Sequence, residues 1–188
     1  MRTIRDSAYE NDVLIEDTYD YYAADTSGNV WYFGEDVVNY YYDDDGNLIG
    51  TDDHSAWIAG ENGALPGWMM PATPTLGLSY YQEYAAADEA LDEALVYAVD
   101  QDVEIPGLGW FEDVIIMYET TAIDPSLREF KYYAPGIGKI RADEGLNENL
   151  TDPDVIFYLQ PGAVPVPASL PLVLSAIGAF ALSSRRRE

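Results

Sequence analysis

The sequence predicts a mainly β protein: a curved, half-barrel-like antiparallel β-meander with one short helix, followed by a single C-terminal transmembrane helix. Three observations predict it. Runs of aromatic and β-branched residues, which suit a pleated surface, recur between corners built of Asp, Gly and Asn. A single stretch, Ala85 to Leu95, is dominated by helix formers. The 17 residues from Ala168 to Ser184 carry no charge and are followed at once by three arginines.

The elements follow in order. Arg2 to Glu10 and Val13 to Ala24 flank an Asn11-Asp12 corner. Asp25-Thr26-Ser27-Gly28-Asn29 turns the chain into Val30 to Tyr42, and Asp43-Asp44-Asp45-Gly46-Asn47 turns it again toward Leu48. The two Gly-Asn corners lie 18 residues apart, one strand plus one turn, which is the spacing of a meander rather than of a long-period repeat. Val30-Trp31-Tyr32-Phe33 and Tyr40-Tyr41-Tyr42 put aromatics on both faces of their strands. Core and cross-strand packing is the ordinary use of such residues; a polysaccharide-binding surface is the other. Gly60 to Gly77, dense in Gly and Pro around Trp68-Met69-Met70, predicts a loop that plugs one end of the sheet. The short helix falls within Tyr80 to Tyr97. Val103 to Pro106, a Gly107-Leu108-Gly109 corner and Trp110 to Glu119 form a further ribbon, and Glu129 to Ala134 with Gly138 to Ala142 form a closing hairpin about Pro135-Gly136. Gly145 to Gly162 is polar and proline-containing, as linkers are. The organisation is thus an acidic β-rich extracytoplasmic domain over 1–144, a linker over 145–163, and a tail over 164–188.

Composition excludes several functions. The chain of 188 residues has no Cys, hence no disulfide framework and no thiolate metal site, and its one histidine, His54, excludes a two-His zinc site. The formal net charge is −25, and from Asp6 to Leu127 there are 27 acids and no Lys or Arg. A nucleic-acid partner is excluded on that ground, because phosphate contacts need cations. The body is equally unsuited to lying on an anionic membrane surface. High ionic strength screens such self-repulsion to about 3 Å at 1 M salt, so a salty habitat or bound divalent cations would fit the composition. With 16 Tyr, 4 Trp and 5 Phe the chain is far too aromatic to be a disordered acidic segment.

The tail opens with Val164-Pro165-Val166-Pro167-Ala168, continues as the uncharged run over 168–184, with Pro171 suited to a first helical turn, and stops at Arg185-Arg186-Arg187. A helix of 17 residues spans about 25 Å, the short limit for a bilayer. The run lacks the polar face of an ordinary core helix. Arginines directly after an apolar run orient it with the cluster in the cytoplasm and the acidic body across the membrane.

This three-part order resembles the PEP-CTERM sorting signal, and more closely its Val-Pro-Leu-Pro-Ala variant, with Val166 in place of Leu. The resemblance implies an exported protein that is held in the inner membrane, processed by an exosortase, and then released or attached at the cell surface. Val164, Pro165, Pro167 and Ala168 match the recognition box, and Arg185, Arg186 and Arg187 match the stop. Such proteins begin with a cleavable signal peptide, whereas Met1 to Asp6 reads as a strand, so the expectation is a start codon upstream of Met1. The body, from about Asp17 to Ala142, resembles a family of uncharacterised secreted bacterial proteins. That resemblance rests on Asp17 to Ala23 with Gly28 to Glu35, on Ile105-Pro106 through Val114, and on Lys131 to Gly138; it implies a curved antiparallel sheet and no established activity.

Catalytic chemistry finds little support. His54 stands beside Asp52, Asp53 and Ser55, but neighbours on a strand or turn point in different directions and do not make a triad. With 33 acids before the tail, any carboxylate pair can be chosen, so none points to a glycosidase. Asp43, Asp45 and Asn47 are the candidate calcium ligands; an EF-hand is excluded because Tyr41 and Asp52 stand where it needs a ligand and a Glu. No other cofactor is expected. The expected function is an exosortase-processed surface or extracellular-matrix protein of the cell envelope without catalytic activity. The alternative is a glycan, lipid or calcium binding module, with an exopolysaccharide as a partner and a cleft lined by some of Trp31, Trp57, Trp68 and Trp110. A hydrolase is the third reading.

Overall fold

The computed structural model describes residues 1–161. The sorting box, the apolar run over 168–184 and Arg185 to Arg187 lie outside the described residues. Among the described residues no helix is long and apolar enough to cross a membrane.

The chain forms two antiparallel sheets. The first begins as the expected meander: β1 (Arg2–Glu10), β2 (Val13–Ala24) and β3 (Val30–Tyr42) pair in succession across the Asn11-Asp12 and Gly28-Asn29 corners. β4 (Leu48–Asp52) and β5 (Trp57–Ile58) pair with different parts of β3, and β6 (Leu65–Met70) pairs with β3 and with β8 (Glu83–Tyr84). The second sheet runs β13 (Val155–Tyr158), β12 (Gly138–Glu144), β11 (Arg128–Ala134), β10 (Gly109–Thr121), β9 (Asp92–Ile105) and β7 (Ser79–Tyr81).

The two D-x-x-G-N corners explain the register of the meander. In each, the leading Asp side chain accepts hydrogen bonds from backbone N–H groups two and four residues on: Asp25 Oδ1 from Ser27 and Asn29, and Asp43 Oδ1 from Asp45 and Asn47. Glycine then takes the left-handed backbone, at φ 94° in Gly28 and 80° in Gly46.

Three expectations are corrected. The helix within Tyr80 to Tyr97 is absent; that stretch supplies β7, β8, a single 3₁₀ turn (Ala86–Asp88) and the start of β9. Helix propensity offers only tenths of a kcal/mol per residue. Against it stands a two-residue period that fully buries Ala94 and Val96 between strand neighbours on both sides. The loop expected over Gly60 to Gly77 contains β6. Gly67 permits this, because a Cβ there would overlap the Gln82 and Tyr81 carbonyl oxygens, and it is where β6 crosses the β7–β8 connection. The stretch read as a linker carries β13, which pairs with β12 from Arg141 to Glu144.

The cores are split. Ala94, Val96 and Met117 of the second sheet pack with Met70 of the first and with Tyr80 and Tyr133. Tyr32, Trp57, Ala64, Ala85 and Ala90 form a second cluster at the side where β6 and β8 meet the other sheet. Farther along the second sheet, Ile105, Val114, Ala134 and Ile140 form a third, aliphatic one. Register shifts along β10 between Phe111 and Met117, with Asp100 and Asp113 at positive φ, bend the β9–β10 ribbon and swap its faces. One sheet can therefore serve two cores.

Candidate functional site

Where two facing sheets normally interdigitate aliphatic side chains, this protein places ionisable ones. Alternation on β2 turns Thr18 and Asp20 inward, and pairing of Asp20 with Glu35 on β3 sets those two carboxyls side by side. From the second sheet, alternation on β10 and β11 contributes Met117 and Glu119, then Glu129, Lys131 and Tyr133. The Lys131 ammonium lies 2.6 Å from Glu119 Oε2 and 3.5 Å from Glu129 Oε2. At the rim, Lys139 of β12 reaches Asp6 of β1 at 2.7 Å and ties the two sheets together.

Acids outnumber cations in this layer, and dry surroundings amplify the consequence. Burial pushes Glu35 up to about 7, with the Asp20 and Glu16 charges adding to it and the Tyr32 hydrogen bond opposing. Burial likewise raises Asp20, Glu83, Asp92 and Glu119, and lifts Glu144 to about 7. Desolvation alone would lower Lys131; Glu119 and Glu129 more than reverse it and hold the ammonium charged. A region at negative potential raises acids and bases alike, which accounts for both partners of the Lys131–Glu119 pair shifting in one direction. The Tyr32 hydroxyl shows the same proton economy. It lies 2.7 Å from both Asp20 Oδ1 and Glu35 Oε2. A phenol has one proton to donate, so one of the two contacts takes its proton from a carboxyl.

Glu35 also faces a cavity of about 170 Å³ lined by Glu35, Asp36, Trp57, Ile58, Asn62 and Asp88, with Ala56 and Glu61 completing it. Three segments build it. Gly34, at φ 127°, lets β5 press on β3, since a Cβ would overlap the Trp57 carbonyl oxygen. The 59–64 loop brings Asn62, whose Nδ2 donates to Asp88 Oδ1 at 2.8 Å. The 3₁₀ turn brings Asp88, and Glu89 beside it lies 3.3 Å from His54 Nδ1. Two buried polar atoms of the lining have no hydrogen-bond partner: Trp57 Nε1 and Asp88 Oδ2. Trp57 is 3% exposed.

The residues singled out from the sequence lie elsewhere. Asp43, Asp45 and Asn47 sit in the β3–β4 corner, where the Asp43 carboxylate accepts from both backbone and the Asn47 side chain and is held below the usual range by those bonds. Among the described residues no group of three or more His, Asp or Glu side chains is arranged to hold a metal ion. His54 points to Glu89, and the Ser55 hydroxyl donates to the His54 carbonyl rather than toward the ring. The four tryptophans part company. Trp57 is buried and Trp110 is 67% exposed. Trp31 and Trp68 meet edge to face at 5.7 Å. Trp31 also lines an open groove with Phe33, Pro66, Ala23 and Ala24, its Nε1 donating to Asp25. Sequence reasoning passed over Glu35 and Asp88. The available signal for Glu35 was the Gly34 before it, which interrupts an otherwise continuous strand.

Comparison with known proteins gives no match to any family model, curated protein or solved structure.

Proposed function

We propose that this protein is an exported, exosortase-processed component of the cell envelope, in which the acidic β body works at the surface or in the extracellular matrix without catalysis. The observation that carries the reading is the ordered tail: the Val164-Pro165-Val166-Pro167-Ala168 box, the uncharged run and Arg185 to Arg187, following a β body whose last strand ends at Tyr158. The positive stop orients the body away from the cytoplasm, where its charge favours solubility.

Fractionation of cells expressing the protein from its native locus tests this. The full-length form is expected in the inner membrane and a shortened form at the surface or in the medium. Pro165→Ala/Pro167→Ala is expected to leave the full-length form accumulating in the membrane. Recovery solely from the cytosol overturns the proposal.

A second reading, a glycan-binding module, is favoured by the Trp31 groove. Its volume is about 360 Å³, its lining is largely apolar, and Asp25 fixes the ring that faces it. Loss of polysaccharide retention in Trp31→Ala, with the fold intact by circular dichroism, is the expected result.

A further inference from the structure

Two of the few buried polar atoms without a partner line the same small cavity, and they are of opposite kind. Trp57 Nε1 can only donate and Asp88 Oδ2, as a carboxylate oxygen, can only accept. A buried group left unpaired is costly, so each such pair in a native fold calls for an occupant. The chemistry of the lining narrows what that occupant is.

An anion is excluded by the carboxyls of Glu35, Asp36, Glu61 and Asp88. A bare metal cation or an ammonium offers no acceptor to Trp57 Nε1, and the carboxyls are not arranged as a metal group. A hydroxyl both donates and accepts. A compound carrying several hydroxyls satisfies Trp57 Nε1 with one oxygen while donating to Asp88 and Glu61 with others. The Trp57 ring supplies the apolar contact that a sugar ring needs. Size points the same way. At about 170 Å³ the cavity lies below the roughly 300–1,000 Å³ of sites for drug-sized ligands. It has room for one sugar ring and not for an extended chain.

We infer that the cavity between β3, β5 and the 3₁₀ turn binds a single neutral sugar ring, with Trp57 Nε1 and Asn62 Nδ2 as donors and Asp88 and Glu61 as acceptors. The Asn62–Asp88 hydrogen bond positions the acceptor, and the contact between His54 and Glu89 holds the two corners of the rim together. Glu35 forms the floor and joins the cavity to the ionic layer. The inference is independent of the envelope reading; a cytosolic protein could hold this site equally well.

The test uses the full-length chain in a detergent without a sugar headgroup. Neutral monosaccharides are titrated against tryptophan fluorescence, with calcium, spermidine and inorganic phosphate as controls. Saturable quenching by at least one neutral sugar and none by the three controls is expected. Asp88→Asn keeps an acceptor for Asn62 but replaces the free oxygen with a donor, and is expected to weaken binding at least tenfold. Trp57→Phe removes the indole N–H and retains a ring, and is expected to weaken it similarly. Should Trp57→Phe fail to fold, Asp88→Asn alone decides. An oligosaccharide ending in the preferred sugar distinguishes the source. Equal affinity marks a glycan chain end as the ligand and binding of the monosaccharide alone marks a free sugar; both support the site. A response to calcium or spermidine but to no sugar overturns the inference. So does a sugar response that Asp88→Asn leaves unchanged, or a crystal structure grown in saturating sugar that shows ordered water only.

Discussion

Lys131→Met removes the charge at the centre of the ionic layer while keeping most of the stem's volume. The ammonium stands 2.6 Å from Glu119 Oε2, and the Glu119 side chain is 3% exposed. Breaking a buried pair from one side costs roughly 3–5 kcal/mol, because the remaining charge is left without compensation. Glu119 has an escape, since it can bind a proton. Its pKa already stands above the ordinary carboxyl value with Lys131 present, and loss of the ammonium raises it further. A raised acid stabilises the fold below its unfolded pKa, and that contribution is lost as pH rises through the folded one. At pH 8 the variant therefore carries the full penalty. At pH 5 it carries a neutral buried acid and has lost one charge-assisted hydrogen bond, about 1.5–3 kcal/mol. The expected gap between the two conditions is about 2 kcal/mol. Urea unfolding at pH 5 and pH 8, at equal ionic strength and with m-values compared, measures it. Glu119→Gln/Lys131→Met is expected to recover about 2 kcal/mol at pH 8 and to lose the pH dependence. A single-variant loss that is the same at both pH values, or a double variant no more stable than the single one, refutes the reasoning.

The unaltered protein should itself grow less stable from pH 4.5 to pH 7. Glu35 and Glu144 are both raised from 4.5 to about 7, so each costs about 3 kcal/mol once ionised. Asp25, drawn down to about 2 by Trp31 and Asn29, works in the opposite sense, and its contribution is lost as pH falls from 3.8 through that value. A maximum in thermal stability near pH 4–5 is expected at 1 M salt, where surface repulsion is screened; a maximum at pH 8 contradicts it. Gly34→Ala forces a Cβ onto the Trp57 carbonyl at a backbone angle that alanine disfavours, so a loss of about 3 kcal/mol is expected with a weakened near-ultraviolet tryptophan signal. A loss under 0.5 kcal/mol would show that β5 does not depend on that close approach.

How much of this was legible in the sequence varies with how local the cause is. The first three strands and their corners were readable because Asp25 and Asp43 organise their own turns from within five residues. The β11–β12 hairpin was readable for the same reason. β9 was misread because Ala85 to Leu95 has the composition of a helix, while the forces that extend it come from β10 and β7. β6 was hidden by Pro66 and Gly67, which look like loop residues until Gln82 is placed against the glycine. The ionic layer was invisible for a different reason. In a chain with 33 acids before the tail, no composition signal separates Glu119, almost wholly buried, from the solvated acids around it. Lys131, the first lysine in the chain, was the one hint, since an isolated cation after so long an acidic stretch needs a partner.

The aliphatic cluster of Ile105, Val114, Ala134 and Ile140 shows that this chain builds a dry core where it is able to. The inter-sheet layer is therefore not ionic for want of apolar residues. A buried pair such as Lys131–Glu119 is seldom better than the hydrophobic residues it displaces, so the layer gives up stability that Met or Leu at the same positions would supply. Natural sequences break such local rules mainly where function requires it. In this molecule the departures converge on one place: Glu35 belongs to the ionic layer through Tyr32 and to the Trp57 cavity through its own position on β3. Holding a proton near pH 7, Glu35 floors the cavity with a group that both donates and accepts, which an apolar residue could not do and a permanently charged one would do only for a cation. The negative potential of the layer is what keeps that proton in place. On this reasoning the ionic layer and the cavity are one device, and Glu35→Gln, which is neutral at every pH, should preserve sugar binding above pH 7 where the unaltered protein loses it.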